Sequence, residues 1–164
     1  MRTGLTVVAV CLMISAGLGW SMRGKFKTGL TPTQDLVVGL MYFMEDHAGR
    51  FPASEDEFLA QPFVEHLPDG TFKIVPKATT AYTHVTHEYP IRNLSRYRIL
   101  WGADLESLTV DDRSVVRNAA GERVELIRWP DSPKSGNAYT LMLLAEAEKI
   151  RAHSAASQPV GETP

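Results

Sequence analysis

The sequence predicts an α+β fold: an N-terminal membrane helix, an amphipathic helix packed on an antiparallel sheet, and a C-terminal helix. Three observations predict it. Thr3–Met22 runs for twenty residues without a charge. Residues 31–49 and 137–153 carry helical periodicity between clear start and stop signals. Between them, residues 72–129 alternate short β-prone runs with turn residues.

The 164 residues suggest one domain plus flanking segments, and 44% apolar with 22% charged residues is ordinary globular usage, so the body is not disordered by composition. Arg2 is the only charge before Arg23, and the remainder carries 16 Lys/Arg against 19 Asp/Glu. No broad basic patch is implied, so nucleic acid is not an expected partner. The single cysteine, Cys11, excludes an intramolecular disulfide. Val8-Ala9-Val10 puts no small residue next to it and little apolar chain comes before it, which argues against a lipoprotein signal.

Residues 1–22 read as a signal anchor or a signal peptide. At about 1.5 Å per residue, the uncharged run matches a bilayer core of roughly 30 Å. Gly17 and Gly19 would suit a cleavage site, whereas Trp20 would suit an interfacial anchor. Arg23, Lys25 and Lys27 follow at once and hinder translocation of a cleaved form, so the anchor is preferred. The expected partner is the membrane through residues 3–22, with the body outside the cytoplasm, or secreted if the segment is cut. Residues 23–30 form a basic linker, 31–153 the α+β domain, and 154–164 a small, polar, disordered tail.

Within the domain, Thr31 can cap a helix, Pro32 suits its first position and Gln34 can close a capping box. Gly49 supplies the stop after Ala48. Asp35, Gly39, Tyr42 and Asp46 share one side of this helix; Val37, Leu40, Met41, Met44 and Ala48 lie opposite and should face a sheet. Arg50-Phe51-Pro52 turns the chain. Ser54 caps a short helix with Glu57 at the capping-box position, and Pro62 ends it. Leu67–Thr71 is a Pro-Asp-Gly turn. Strands are expected at Phe72–Val75, Thr79–Tyr89, Tyr97–Trp101 and Ser107–Val110. Val115–Arg117 and Arg123–Trp129 should form a hairpin around Asn118–Gly121. Asn137 then caps a helix over Ala138–His153, with Glu146–Lys149 and Glu148–Arg151 as exposed pairs.

Several residues invite chemistry. His84 and His87, with Glu88 beside them, fall three apart on an expected strand and so point to opposite faces, which does not suit one metal. His47 reads as a core-rim histidine. His66 has no evident partner, and His153 faces the dipole at its helix end. Glu55, Asp56 and Glu57 occupy the first turn of a capped helix, which explains them without a site. Asp111-Asp112 reads as a surface turn, with calcium binding as the alternative. Asp131, Ser132 and Asn137 could offer oxygen ligands but match no calcium-loop spacing. Asn93-Leu94-Ser95 is a glycosylation triplet that matters only in a suitable host. No nucleophile elbow or phosphate-cradling glycine loop is present. No catalytic, cofactor-binding or metal-ligating residue is assigned, and no cofactor is expected.

Tyr42-Phe43-Met44-Glu45-Asp46-His47-Ala48-Gly49-Arg50-Phe51-Pro52, followed by Ser54–Leu59, resembles the head region of type IV pilin-like proteins, especially the pseudopilins of type II secretion. The resemblance covers residues 33–68 in motif and the remainder in element order. It implies a helix, a glycine-aromatic-proline turn, a short capped helix and an antiparallel sheet. It also implies a membrane-anchored structural or interaction protein capable of self-assembly. Met1–Met22 lacks the processing signal of that group, and no functional residue carries over. The alternative is a secreted or anchored ligand-binding module using Tyr82, Tyr89, Tyr97, Trp101 and Trp129 as an aromatic sheet face. A third reading, a small hydrolase, would need His84 or His87 gathered with Asp111 or Asp112.

Overall fold

The computed structural model of the chain describes residues 32–77, 90–92, 94–128 and 136–156. They form a mixture of helices and small antiparallel sheets, so the α+β class holds. The expected membrane helix and the strand at Thr79–Tyr89 lie outside these residues. Among the described residues no helix is long and apolar enough to cross a membrane.

Helix α1 spans Pro32–Asp46. The expected two-sided division of this helix is corrected. Asp35 and Tyr42 are as buried as Leu36, Leu40, Phe43 and Met44, so α1 is a central helix enclosed on all sides up to Met44. Its most extensive neighbour is the C-terminal helix, not a sheet. Gly39 lets the β hairpin approach: a Cβ there would lie 2.8 Å from Ile74 Cδ1 and 3.1 Å from Phe58 Cζ. The stop is also shifted by one residue. Ala48 takes the left-handed conformation at φ 53°, Gly49 follows at φ 84°, and Gly49 N–H donates to Met44 O at 2.8 Å. This closes the helix as a Schellman motif with alanine where glycine is usual.

Helix α2 is Glu55–Leu59, capped by Ser54 as expected. The helix stops at Leu59, before Pro62. Phe58 is fully buried. Strands β1 (Val64–His66) and β2 (Phe72–Ile74) pair antiparallel, with Val64 opposite Ile74 and His66 opposite Phe72. Gly70 has φ 77° in the turn between them, and Asp69 Oδ1 accepts from Thr71 N–H at 3.1 Å. Strand β1 was not anticipated. Its signal is the hairpin logic of an apolar pair, Phe63-Val64, placed before a Pro-Asp-Gly turn whose far side is a strand.

Among the described residues, three two-stranded sheets stand where a single sheet is expected. Strands β3 (Arg98–Ile99), β4 (Thr109–Val110), β5 (Val116–Arg117) and β6 (Ile127–Arg128) are two residues each. β4 pairs with β5, and β3 pairs with β6. Ser107 lies in a 3-10 turn capped by Asp104. The hairpin around Asn118–Gly121 survives as a bridge from Arg117 to Arg123, while its expected far end turns away to β3.

Helix α3 runs Gly136–Ala156. It starts before Asn137, so Asn137 is inside the helix and its Nδ2 donates to Ser114 O at 2.8 Å. It also includes Ser154, Ala155 and Ala156, which were expected in the tail. Thr140, Leu143, Leu144 and Ala147 form its buried stripe at i, i+3, i+4 and i+7. Gly49 meets this helix closely, since a Cβ there would lie 3.0 Å from Ala147 O. Thr140 also staples the strands to the helix: its Oγ1 accepts from Leu126 N–H at 2.9 Å and donates to Gly136 O at 2.8 Å.

Candidate functional site

The most distinctive polar surface among the described residues is built by the β3–β6 pair. The ladder continues past it through Leu100 N–H to Leu126 O at 2.9 Å. In this register Arg98 stands directly opposite Arg128, and Ile99 opposite the buried Ile127. Alternation along the strands sends the isoleucines toward the core side and both arginines to the other face. Like charges opposed across a strand pair weaken it by some tenths to about 1 kcal/mol. The turn at Asn118 brings a third guanidinium to the groove. Asn118 Oδ1 accepts from Ala120 N–H at 3.0 Å and Glu122 N–H at 2.9 Å, reversing the chain so that Arg123 arrives beside Arg128. Leu100, the most exposed large apolar side chain among the described residues at 48%, lies on the same groove.

Among the described residues one carboxylate, Glu125, serves this cluster. Arg123 Nη2 lies 2.6 Å from its Oε1 and Arg128 Nε 3.7 Å from its Oε2. Glu125 also rests against the first residue of α3, where a Cβ on Gly136 would come within 2.9 Å of Oε2. That end of the helix carries partial positive charge, which favours a carboxylate beside it. Arg98 has no ion pair among the described residues.

A second charged group lies at the C-terminal end of α1, where Lys77 follows β2. Lys77 Nζ meets Asp46 Oδ1 at 2.5 Å and Glu45 Oε2 at 3.8 Å, and stands 5.7 Å from the Tyr42 ring centre. Burial pushes the Glu45 carboxyl up, Lys77 opposes this, and nearby Glu146 adds to it. Glu146 is itself tied to Lys149 at 2.9 Å. This pair was expected on the exposed side, but Glu146 is buried against the core. Arg151 pairs with Glu106 at 3.1 Å, not within its own helix.

The residues singled out in the sequence divide plainly. His84, His87, Glu88, Asn93, Asp131, Ser132, Tyr82, Tyr89 and Trp129 lie outside the described residues. His47 sits just after α1, its Nδ1–H donating to Phe43 O at 2.8 Å and its ring stacked on Phe43 at 3.9 Å. His66 does have a partner, with Nε2 at 3.0 Å from Leu59 O. Glu57 receives Arg50 through both oxygens and Ala53 N–H at 2.6 Å. The Arg50 and Ala53 donors hold its carboxyl down to about 2. Asp111 accepts from Val115 N–H at 2.8 Å, Arg113 N–H at 3.0 Å and Arg117 Nε at 2.8 Å, so its oxygens organise a turn. These donors, Val115 first, hold its carboxyl below the usual range. Tyr97 and Trp101 pack against the core, Trp101 lying 6.1 Å from Phe58 and 6.5 Å from Phe51. Among the described residues no group of three or more His, Cys, Asp or Glu is placed to hold a metal ion.

The arginine groove was missed because its members are distant in sequence and meet only through the β3–β6 pairing. No protein-family model matches the chain, and neither a curated protein nor a solved structure matches it.

Proposed function

We propose that this chain is a membrane-anchored, pilin-like structural or interaction protein whose body works outside the cytoplasm. The observation that carries the reading is the pairing of the twenty-residue uncharged run with a helix–turn–capped-helix unit directly after a basic linker. In that unit α1 is followed by left-handed Gly49, buried Phe51, Pro52 and the Ser54 cap. Such a unit suits a rigid head carried by an anchor.

The reading is tested with Cys11, the only cysteine in the chain. Intact membranes should protect it from a polar maleimide, and the full-length chain should stay in the pellet after alkaline carbonate washing. Protease added on the extracytoplasmic side should reach the body. Cross-linking of intact membranes through residues 5–48 should trap homo- or hetero-oligomers. Full-length protein found in the soluble fraction with a reactive Cys11 would end this reading.

A further inference from the structure

We propose that the groove between β3 and β6 binds a phosphate-bearing ligand through Arg98 and Arg128, with Arg123 as a third cation and Leu100 as an apolar contact. Arg98 and Arg128 face each other across the strand pair on its outer face. Two guanidinium groups so placed repel each other unless an anion lies between them. Among the described residues no carboxylate supplies that anion to Arg98. Glu125 is close to Arg123, farther from Arg128, and fixed against Gly136 at the start of α3. Its side chain is 14% exposed, whereas those of Arg123 and Arg128 are 54% and 56% exposed. The groove therefore presents a surplus of guanidinium groups that solvent ligands can reach.

The chemistry of the set selects phosphate. A single planar carboxylate matches one guanidinium fork, and Glu125 takes only one bond from Arg123, Nη2 to Oε1 at 2.6 Å. A tetrahedral phosphate has oxygens enough for forks arriving from two strands at once. Leu100, exposed in the groove with the arginines, suits the organic part of a phosphate ester. The ester could be soluble or a lipid headgroup; the recognising chemistry is the same. The site stands independently of the anchor reading, because its first test is done in detergent.

The full-length chain in neutral detergent is titrated with inorganic phosphate at constant ionic strength, with chloride as the balancing salt, and thermal unfolding is followed. Phosphate should raise the midpoint saturably. Arg98→Gln and Arg128→Gln should each bind about tenfold more weakly or worse, while Arg96→Gln, outside the groove, should match the parent. In chloride alone Arg98→Gln should be no less stable than the parent, because one of two facing charges is gone. A structural arginine would behave oppositely. In a second arm the chain is placed in nanodiscs of phosphatidylcholine, with or without phosphatidylglycerol. Slower hydrogen exchange at residues 98–100 and 126–128 with phosphatidylglycerol alone assigns the site to a lipid headgroup. Protection by added glycerol 3-phosphate in both discs assigns it to a soluble ester. The site is overturned if phosphate stabilises all variants equally, if Arg98→Gln is destabilised in chloride, or if neither arm protects the strands.

Discussion

In residues 32–77, fourteen apolar side chains are buried, and they gather around one enclosed helix. In residues 94–128, six are, and the chain between them reverses through turns held by side-chain carbonyls and carboxylates at Asp104, Asp111 and Asn118. Their surfaces differ as well. The first region carries eight acidic and three basic residues; the second balances six acids with six basic residues, every one an arginine. One region is thus stabilised by non-directional burial and the other by directional hydrogen bonds between near neighbours. Cores tolerate surface change but punish cavities; turn-built segments have short ladders and leave edges and grooves open. The groove with Arg98, Arg123 and Arg128 belongs to the second kind of structure.

The largest expected effect lies in the first region. Phe58 is fully buried between Gly39 of α1, Phe63 and Trp101. Phe58→Ala should cost about 3–5 kcal/mol, measured by urea unfolding. Trp101 fluorescence should report the loss, because that ring reaches the first region from the second. A cost no greater than that of an exposed substitution would mean that burial does not dominate there.

Next comes the seam. Thr140→Val keeps the shape of the side chain but removes the acceptor of Leu126 N–H. A buried donor left without a partner costs about 1–3 kcal/mol. Hydrogen exchange should accelerate around Leu126 and β6 while α1 keeps its protection. If both regions loosen together, they form one cooperative unit and the contrast between them is only compositional.

How far the sequence spoke also follows this division. α1, the Ser54 cap and the Asp69-Gly70 turn are specified by neighbours a few residues apart, and they could be read locally. The enclosure of α1 could not, because Gly39 and Tyr42 are covered by Phe58, Phe63 and Ile74, and α3, about a hundred residues later in the chain, packs on the same helix. The later strands are shorter than expected: Thr, Val and Ile favour extended chain, but Asp111 and Asn118 capture backbone N–H groups and cut the ladders short. The Arg98–Arg128 pair has no local signature at all. Two solvated arginines in separate runs look ordinary until a register sets them face to face.

A smaller effect separates charge from packing within the first region. Glu57 ties Arg50 and Ala53 across the turn after α1, and its carboxyl is held down to about 2 from the ordinary 4.5. A lowered pKa means that the folded state holds the proton less tightly than the unfolded chain. The contribution is therefore full above about pH 4.5 and is lost as pH falls toward 2. The group is solvent-exposed, so screening limits it to about 1 kcal/mol. Glu57→Gln should lower stability by that order at pH 7 and by almost nothing near pH 2. A difference that persists at pH 2 would make the turn a matter of side-chain shape and not of charge.

The smallest change should go the other way. Ala48 holds φ at 53° in the Schellman stop of α1, a conformation that costs an L residue with a Cβ roughly 1–2 kcal/mol. Ala48 is exposed, so its methyl contributes little packing in return. Glycine removes the strain but gives the unfolded chain more freedom, which offsets part of the gain. Ala48→Gly should raise stability by about 0.5–1 kcal/mol, while Gly49→Ala, where a Cβ would press on Ala147 O at 3.0 Å and φ is 84°, should lower it. The two neighbours thus carry opposite signs for the same exchange of a methyl group. Measuring both by urea unfolding asks whether the end of α1 is set by backbone geometry or by contact with α3. If Ala48→Gly destabilises as Gly49→Ala does, contact dominates, and the first region is held at its helix stop by packing alone.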